Sequence, residues 1–279
     1  MPVTPDPAAL AALVTRLRAA GCVFAEDEAA LLVAEADDDA GLAAMTARRV
    51  AGEPLEQVVG WAEFRGLRIA VEPGVFVPRA RTGLLVREAV RALPDGPAPA
   101  PGDGTGTRPV VVDLCCGTGA VGLAVAAEHP GVALWAVDVE PAAVACARRN
   151  AAELGPPDAT VLLGDLDAPL PDALLGRVDV LVANAPYVPT AEIAHMPTEA
   201  RDHEPRTALD GGADGVDLHR RVAAAAPRWL APGGHLLIET SVHQAGATAA
   251  ACEGQGLAVR VVHDDDLDGT VVVATRRPR

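Results

Sequence analysis

From Val110 onward the chain repeats one rhythm: a short apolar run, a segment of helix length, then another apolar run. The runs are "VVVDL", "ALWAVD", "ATVLL", "VDVLVA" and "HLLIE". Continuous apolar runs are what strands buried on both faces require, and connections of helix length are what parallel strands require. This rhythm constrains the chain to an α/β fold, a parallel sheet with helices on both faces. Two late runs, "GLAVRVVH" and "GTVVVAT", lie close together and are expected to close the sheet as an antiparallel pair.

The chain upstream reads differently. Asp6 can cap a helix with Pro7 at its first position, and Leu10, Leu13, Val14 and Leu17 form one apolar stripe that Gly21 can stop. Further short helices fit "EDEAALLVAEA", "DAGLAAMTARRVAG" and "EPLEQVVG". No catalytic grouping occurs among them, so residues 1–60 are expected to form a small helical docking domain. Residues 61–80 follow as a connecting β-hairpin: Leu67, Ile69 and Val71 alternate, Pro73-Gly74 marks a turn, and Val75 and Val77 alternate again. Residues 81–279 make the α/β domain, with a helix from near Thr82 and a Pro/Gly-rich stretch, 94–109, expected to be a flexible surface insertion.

Composition narrows the function classes. With 279 residues, half of them hydrophobic, a sizeable core is available. The net charge is −15 and every basic residue is arginine, which disfavours a protein that wraps nucleic acid. Five cysteines, an odd number without paired metal-ligand spacing, argue against a disulfide framework and against a metal site. No apolar run reaches the ~18 residues of a membrane span, and the first residues lack a signal-type core. A cytoplasmic protein is expected, working as a monomer without a membrane.

In sheets of this kind ligands bind beyond the carboxyl ends of the strands. The first run ends "VDLCCGTGAVGL", where Asp113 precedes a turn containing Cys115, Cys116, Gly117, Thr118 and Gly119. A carboxylate there would repel a pyrophosphate and suits a ligand carrying an ammonium group, and the glycine spacing is not that of the dinucleotide fingerprint. The second run ends in Asp138, placed to accept hydrogen bonds from ribose hydroxyls. The third leads to Asp165 and Leu166, where a carboxylate can accept from an exocyclic amine and an apolar chain can cover a base. Amino acid, ribose and adenine without phosphate describe S-adenosylmethionine.

The fourth run ends in Asn184-Ala185-Pro186-Tyr187, which includes the only tyrosine of the chain. It resembles the Asn-Pro-Pro-Tyr motif of methyltransferases that modify planar amino or amide nitrogens. An amide nitrogen is a poor nucleophile because its lone pair is delocalised. Holding both of its N–H groups with acceptors, the Asn184 oxygen and a backbone carbonyl, aims it at a methyl donor. Alanine at 185 keeps the carbonyl and loses the fixed φ of proline.

Two longer segments, "EPLEQVVGWAEFRGLRIAVEPGVFVPR" and "HEPRTALDGGADGVDLHRRVAAAAPRWLAPGGHLLIE", are similar to the protein-(glutamine-N5) methyltransferases that act on peptide chain release factors, the PrmC/HemK family. The resemblance covers most of the chain. It implies a Rossmann-like, seven-stranded S-adenosylmethionine-dependent methyltransferase domain, with cofactor contacts from residues 115–119, Asp138, Leu166 and Asn184. It also implies that residues 184–187 hold a glutamine of a protein substrate, a release factor or a related protein. After "VPR" the family has Pro-Glu-Thr-Glu where this chain has Ala80-Arg81-Thr82-Gly83, so two acidic positions are lost. Within His203–Arg206, histidine and acid are either a catalytic pair or a brace for the site. Two alternatives stay open: an adenine N6-type nucleic-acid methyltransferase that stacks a flipped base on Tyr187, and a weakly catalytic cofactor-binding paralogue.

Overall fold

In a computed structural model of the protein, residue 3 and residues 5–94 and 108–278 are described. Most of the stretch expected as an insertion, 94–109, lies outside these residues. Helix α1 (Pro7–Ala19) starts as its residue types dictate, with the Asp6 carboxylate accepting the Ala9 N–H at 2.7 Å. It packs with α2 (Ala25–Glu35), α3 (Asp39–Val50) and α4 (Leu55–Val59) around Leu17, Ala25, Ala29, Leu32 and Val58. One buried cation organises this cluster. Arg49 of α3 reaches Glu28 of α2 at 2.6 Å, the Glu53 carbonyl at 3.1 Å, and Glu199 at 2.5 Å beside the sheet domain.

The hairpin exists, but its turn is not where Pro73-Gly74 suggests. Strands β1 (Trp61–Phe64) and β2 (Leu67–Ala70) pair antiparallel through Arg65 (φ 51°) and Gly66 (φ 79°). A two-residue turn with both φ positive matches the twist of paired strands, so it wins over a Pro-Gly pair. Val75 and Val77 alternate because both are buried, Val77 against Ala62 and Val71 and Val75 against Ala143 and Cys146, and neither lies in a strand.

The remaining strands are β3 (Val110–Leu114), β4 (Ala133–Asp138), β5 (Thr160–Leu163), β6 (Val178–Ala183), β7 (Leu230–Thr240), β8 (Ala258–Asp264) and β9 (Gly269–Thr275). They form one sheet in the order β5-β4-β3-β6-β7-β9-β8. The first five are parallel, and β9 runs antiparallel to both neighbours, as the two late runs imply. The period-two geometry of strands divides the core. Val111, Val180, Val182, Leu237 and Val271 face α5 (Gly83–Ala92) and α6 (Ala120–Glu128). Val112, Leu114, Leu181, Leu236 and Ile238 face α9 (Asp217–Trp229) and α10 (Ala245–Glu253). This is the seven-stranded, Rossmann-like arrangement expected from the sequence.

The register brings the strand ends level. Leu114 lies beside Val137 and Ala183, Ala183 beside Ile238, and Asp138 beside Leu163. Strand order reverses between β3 and β6, which opens a crevice there. Because Arg49 and Glu28 are both about nine-tenths buried, removing one leaves the other charge uncompensated. Arg49→Met should lower unfolding stability by about 3–5 kcal/mol in urea titrations. A smaller loss in Arg49→Met/Glu28→Leu would show that the orphaned acid carries the cost.

Candidate active site

The loop after β3 turns back under the sheet edge by two backbone bonds. Cys116 N–H donates to the Val137 carbonyl (3.0 Å), and Gly119 N–H to the Cys116 carbonyl (2.7 Å). Cys115 is held at φ 56° and Leu166 at φ 49°. Left-handed conformations cost a non-glycine residue on the order of 1–3 kcal/mol and are retained where geometry matters. Asp113 is fully buried; its Oδ2 accepts the Gly122 N–H at 2.9 Å, and burial with nearby Asp138 pushes its carboxyl up to about 7. Asp138 Oδ2 accepts the Gly117 N–H (2.8 Å) and Oδ1 the Glu140 N–H (2.9 Å), so it ties two loops together while retaining lone pairs toward the crevice. Asp165 sits at the rim, paired with Arg221 at 2.7 Å.

The loop after β6 is clamped from outside. A Cβ on Gly211 would come within 2.7 Å of the Pro186 carbonyl and of the Tyr187 Cα, so only glycine lets the "DGG" segment lie there. Gln244 donates to the Tyr187 carbonyl at 2.6 Å. His219 is completely buried, with Nδ1 2.8 Å from the Thr248 hydroxyl, and its Nε2 lies near the Ala185 carbonyl without an aligned hydrogen bond among the described residues. Burial pulls its pKa down to about 4, so the ring is neutral near pH 7. Asn184 Nδ2 reaches Thr82 Oγ1 at 3.4 Å. Burial beside Glu239 pushes the Tyr187 phenol up to about 12.

One cavity of about 470 Å³ joins both loops. Every residue singled out from the sequence lines it except Gly119, which shapes the turn beneath: Asp113, Cys115, Cys116, Gly117, Thr118, Asp138, Asp165, Leu166, Asn184, Ala185, Pro186 and Tyr187. The His203–Arg206 segment acts as a brace: Glu204, 5% exposed, accepts from Val77 N–H at 3.3 Å and Arg79 at 2.5 Å. Two residues carried no motif. Asn150, inside α7 (Pro141–Leu154), donates to the carbonyls of Ala70 (3.0 Å) and Thr118 (2.9 Å), joining hairpin to cofactor loop. Glu239, inside the apolar run of β7, lies buried under Tyr187.

A crevice of this size, walled by carboxylates and apolar groups, fits a cationic nucleoside ligand and not a phosphate. Fold and site together define an S-adenosylmethionine-dependent methyltransferase, whose methyl donor is S-adenosylmethionine. The family model described as methyltransferase small domain matches residues 104–202. The release factor glutamine methyltransferase of Mycolicibacterium smegmatis is 38% identical over 261 residues, covering 91% of this chain and 86% of that protein. The protein of the same description from Geobacter sulfurreducens is 39% identical over 201 residues, and the match spans 72% of this chain and 65% of that one. A Pyrococcus furiosus methyltransferase structure shares the fold, with a TM-score of 0.54 at 15% identity, over 85% of this chain and all of that one. The chain belongs to the release factor glutamine methyltransferase family.

The raised carboxyl of Asp113 makes a signed prediction. A carboxyl whose folded pKa lies above its unfolded value adds stability that is full below about pH 4 and is lost as pH rises through 7. Asp113→Asn should remove roughly 4 kcal/mol of that fall, read as a flatter stability-against-pH curve between pH 4 and 7.

Proposed function

We propose that the protein methylates the side-chain amide nitrogen (N5) of a glutamine in a protein substrate, a release factor or a related translation protein. The observation that carries this reading is that the Asn184–Tyr187 loop and the carboxylate-walled cradle open into one cavity. Bound in the cradle, S-adenosylmethionine supplies an electrophilic methyl group on a sulfonium. Asp113 would hold the cofactor's ammonium group, Asp138 its ribose hydroxyls, and Asp165 with Leu166 its base. Residues 115–118 would bring backbone against it, above the turn that Gly119 makes.

At the other end of the cavity Asn184 Oδ1 and the Ala185 carbonyl accept the two amide N–H groups. Their alignment replaces the strong base that a delocalised nitrogen would otherwise need. Tyr187 would cover the planar amide; the nitrogen would take the methyl as the methyl–sulfur bond breaks to leave a neutral thioether, and the proton made acidic by methylation would pass to solvent as the product leaves. Ala185 and Pro186 are buried, so this backbone is held without proline at 185.

The helical unit, residues 1–60, is proposed to dock the protein substrate, with the hairpin, 61–80, carrying it to the methyltransferase domain, 81–279. The Arg49–Glu199 pair ties that unit to the short helix α8 (Thr198–His203) flanking the cavity. Net charge −15 supports a protein substrate over nucleic acid. Among the described residues no helix is long and apolar enough to cross a membrane, and a cytoplasmic monomer fits these features.

The test offers isotopically labelled cofactor with release factor protein, with a nucleic-acid pool, and with neither. Label on a release-factor glutamine is expected, and label on adenine or on nothing would overturn the reading. Asn184→Ala should cost about 2.7–4 kcal/mol in single-turnover rate at saturating cofactor, while Asn184→Asp, which keeps an acceptor oxygen, should fall between alanine and wild type. Asp138→Ala should weaken cofactor binding by about 1.5–3 kcal/mol in calorimetry.

A further inference from the structure

Glu239 is a strongly buried acid next to the substrate end of the cavity that this mechanism leaves unused. It stands near the end of β7, one residue past Ile238, which is level with Ala183, so it lies beside Asn184 across the sheet. The residue is 2% exposed, and its Oε2 has no aligned hydrogen-bond partner among the described residues. The groups facing the carboxylate are the Thr82 hydroxyl, the Tyr187 phenol and the Arg81 guanidinium, whose Nε lies 3.8 Å from Oε1. From β9 the register places the uncharged Val271 opposite. Arg81, Thr82 and Tyr187 all line the cavity, whereas Glu239 sits one layer beneath it.

We infer that the ionised Glu239 carboxylate is a positioning residue that sets which end of the Asn184 amide faces the substrate and how Tyr187 is held. The argument rests on the reading that Asn184 binds a substrate amide. An ionised carboxylate only accepts hydrogen bonds, so Thr82 and Tyr187, which face it without an aligned hydrogen bond in this structure, satisfy it by turning their O–H groups toward it. Thr82 Oγ1 then has only lone pairs left for Asn184, and it takes the Asn184 Nδ2–H₂ at 3.4 Å. The Oδ1 end is thereby turned to the cavity, where the substrate amide needs an acceptor.

Protonation reverses the chain. A neutral Glu239 donates one O–H, which frees the Thr82 hydroxyl proton to point at Asn184. The amide then gains from flipping, and its NH₂ would meet the substrate's own N–H groups, donor against donor. Burial pushes the Glu239 carboxyl up to about 7, while Arg81 and the two hydroxyls oppose that rise. Methyl transfer therefore weakens as pH falls through the neutral range.

Tyr187 is the only tyrosine, so its ultraviolet titration reports this network without any substrate. In Glu239→Gln the phenol loses the neighbouring negative charge and should titrate at lower pH than in wild type. With release factor as substrate and saturating cofactor, wild type should show an acid limb near pH 7 in kcat/KM. The glutamine variant should lack that limb, lose about tenfold in kcat, the scale of one weakened hydrogen bond, and bind S-adenosylmethionine as wild type does. Thr82→Val, which removes the link and leaves the acid, should show the same loss in kcat with the Tyr187 titration still displaced upward. An unmoved Tyr187 titration, or a Glu239→Gln enzyme with wild-type kcat and an intact acid limb, would overturn the inference. If wild type methylates no release factor, the functional reading fails by itself, and the Tyr187 titration still decides whether Glu239 governs the loop.

Discussion

The reversal of strand order between β3 and β6 is the constraint on which the rest of this molecule depends. Helices cover both faces of the central strands β3 and β6, so their mid-strand side chains are buried and it is their carboxyl ends that open to the crevice. Level register at Leu114, Ala183 and Ile238 places those ends in one row. The loop after β3 leaves on one side of the reversal and the loop after β6 on the other. The two loops therefore face each other, and the cavity of about 470 Å³ lies between them.

Those strand ends were legible in the sequence because each is marked by an abrupt change from apolar residues to Asp113, Asp138, Asp165 or Asn184. The order of helices and strands was legible for the same reason, since period and length separate the two. What could not be read was polar chemistry hidden within apolar or helical patterns. Glu239 looks like the polar end of a buried strand, and Asn150 like any residue in the middle of α7, yet both bridge segments distant in sequence. The hairpin turn was misplaced because Arg65 gives no sign of a left-handed conformation, whereas Pro73-Gly74 advertises a turn.

Acidity at the crevice works in layers. Asp113, Asp138 and Asp165 wall the cofactor end, and burial pushes the first two upward in pKa. Such a wall is costly when empty and is relieved by a cationic ligand, which favours binding and order together. At the substrate end the sign changes, with Arg79 held by Glu204 and Arg81 near Glu239. Arg81 stands where the family pattern has an acid, and its guanidinium lies beside the buried Glu239.

Ala185 is the point at which this chain departs most plainly from the motif, and the surroundings show what replaces proline there. Proline stiffens a loop by fixing its own φ, and Pro186 also restricts Ala185 before it. Here the restraint comes from three directions: Gly211 packed against Pro186 and Tyr187, Gln244 bonded to the Tyr187 carbonyl, and the buried ring of His219 behind Ala185. The His219 ring is neutral near pH 7, and its hydrogen bond to Thr248 fixes its orientation. Rigidity that the motif usually writes into one residue is distributed here over α9, α10 and the glycine loop, which is why a single alanine can stand in the loop without freeing it.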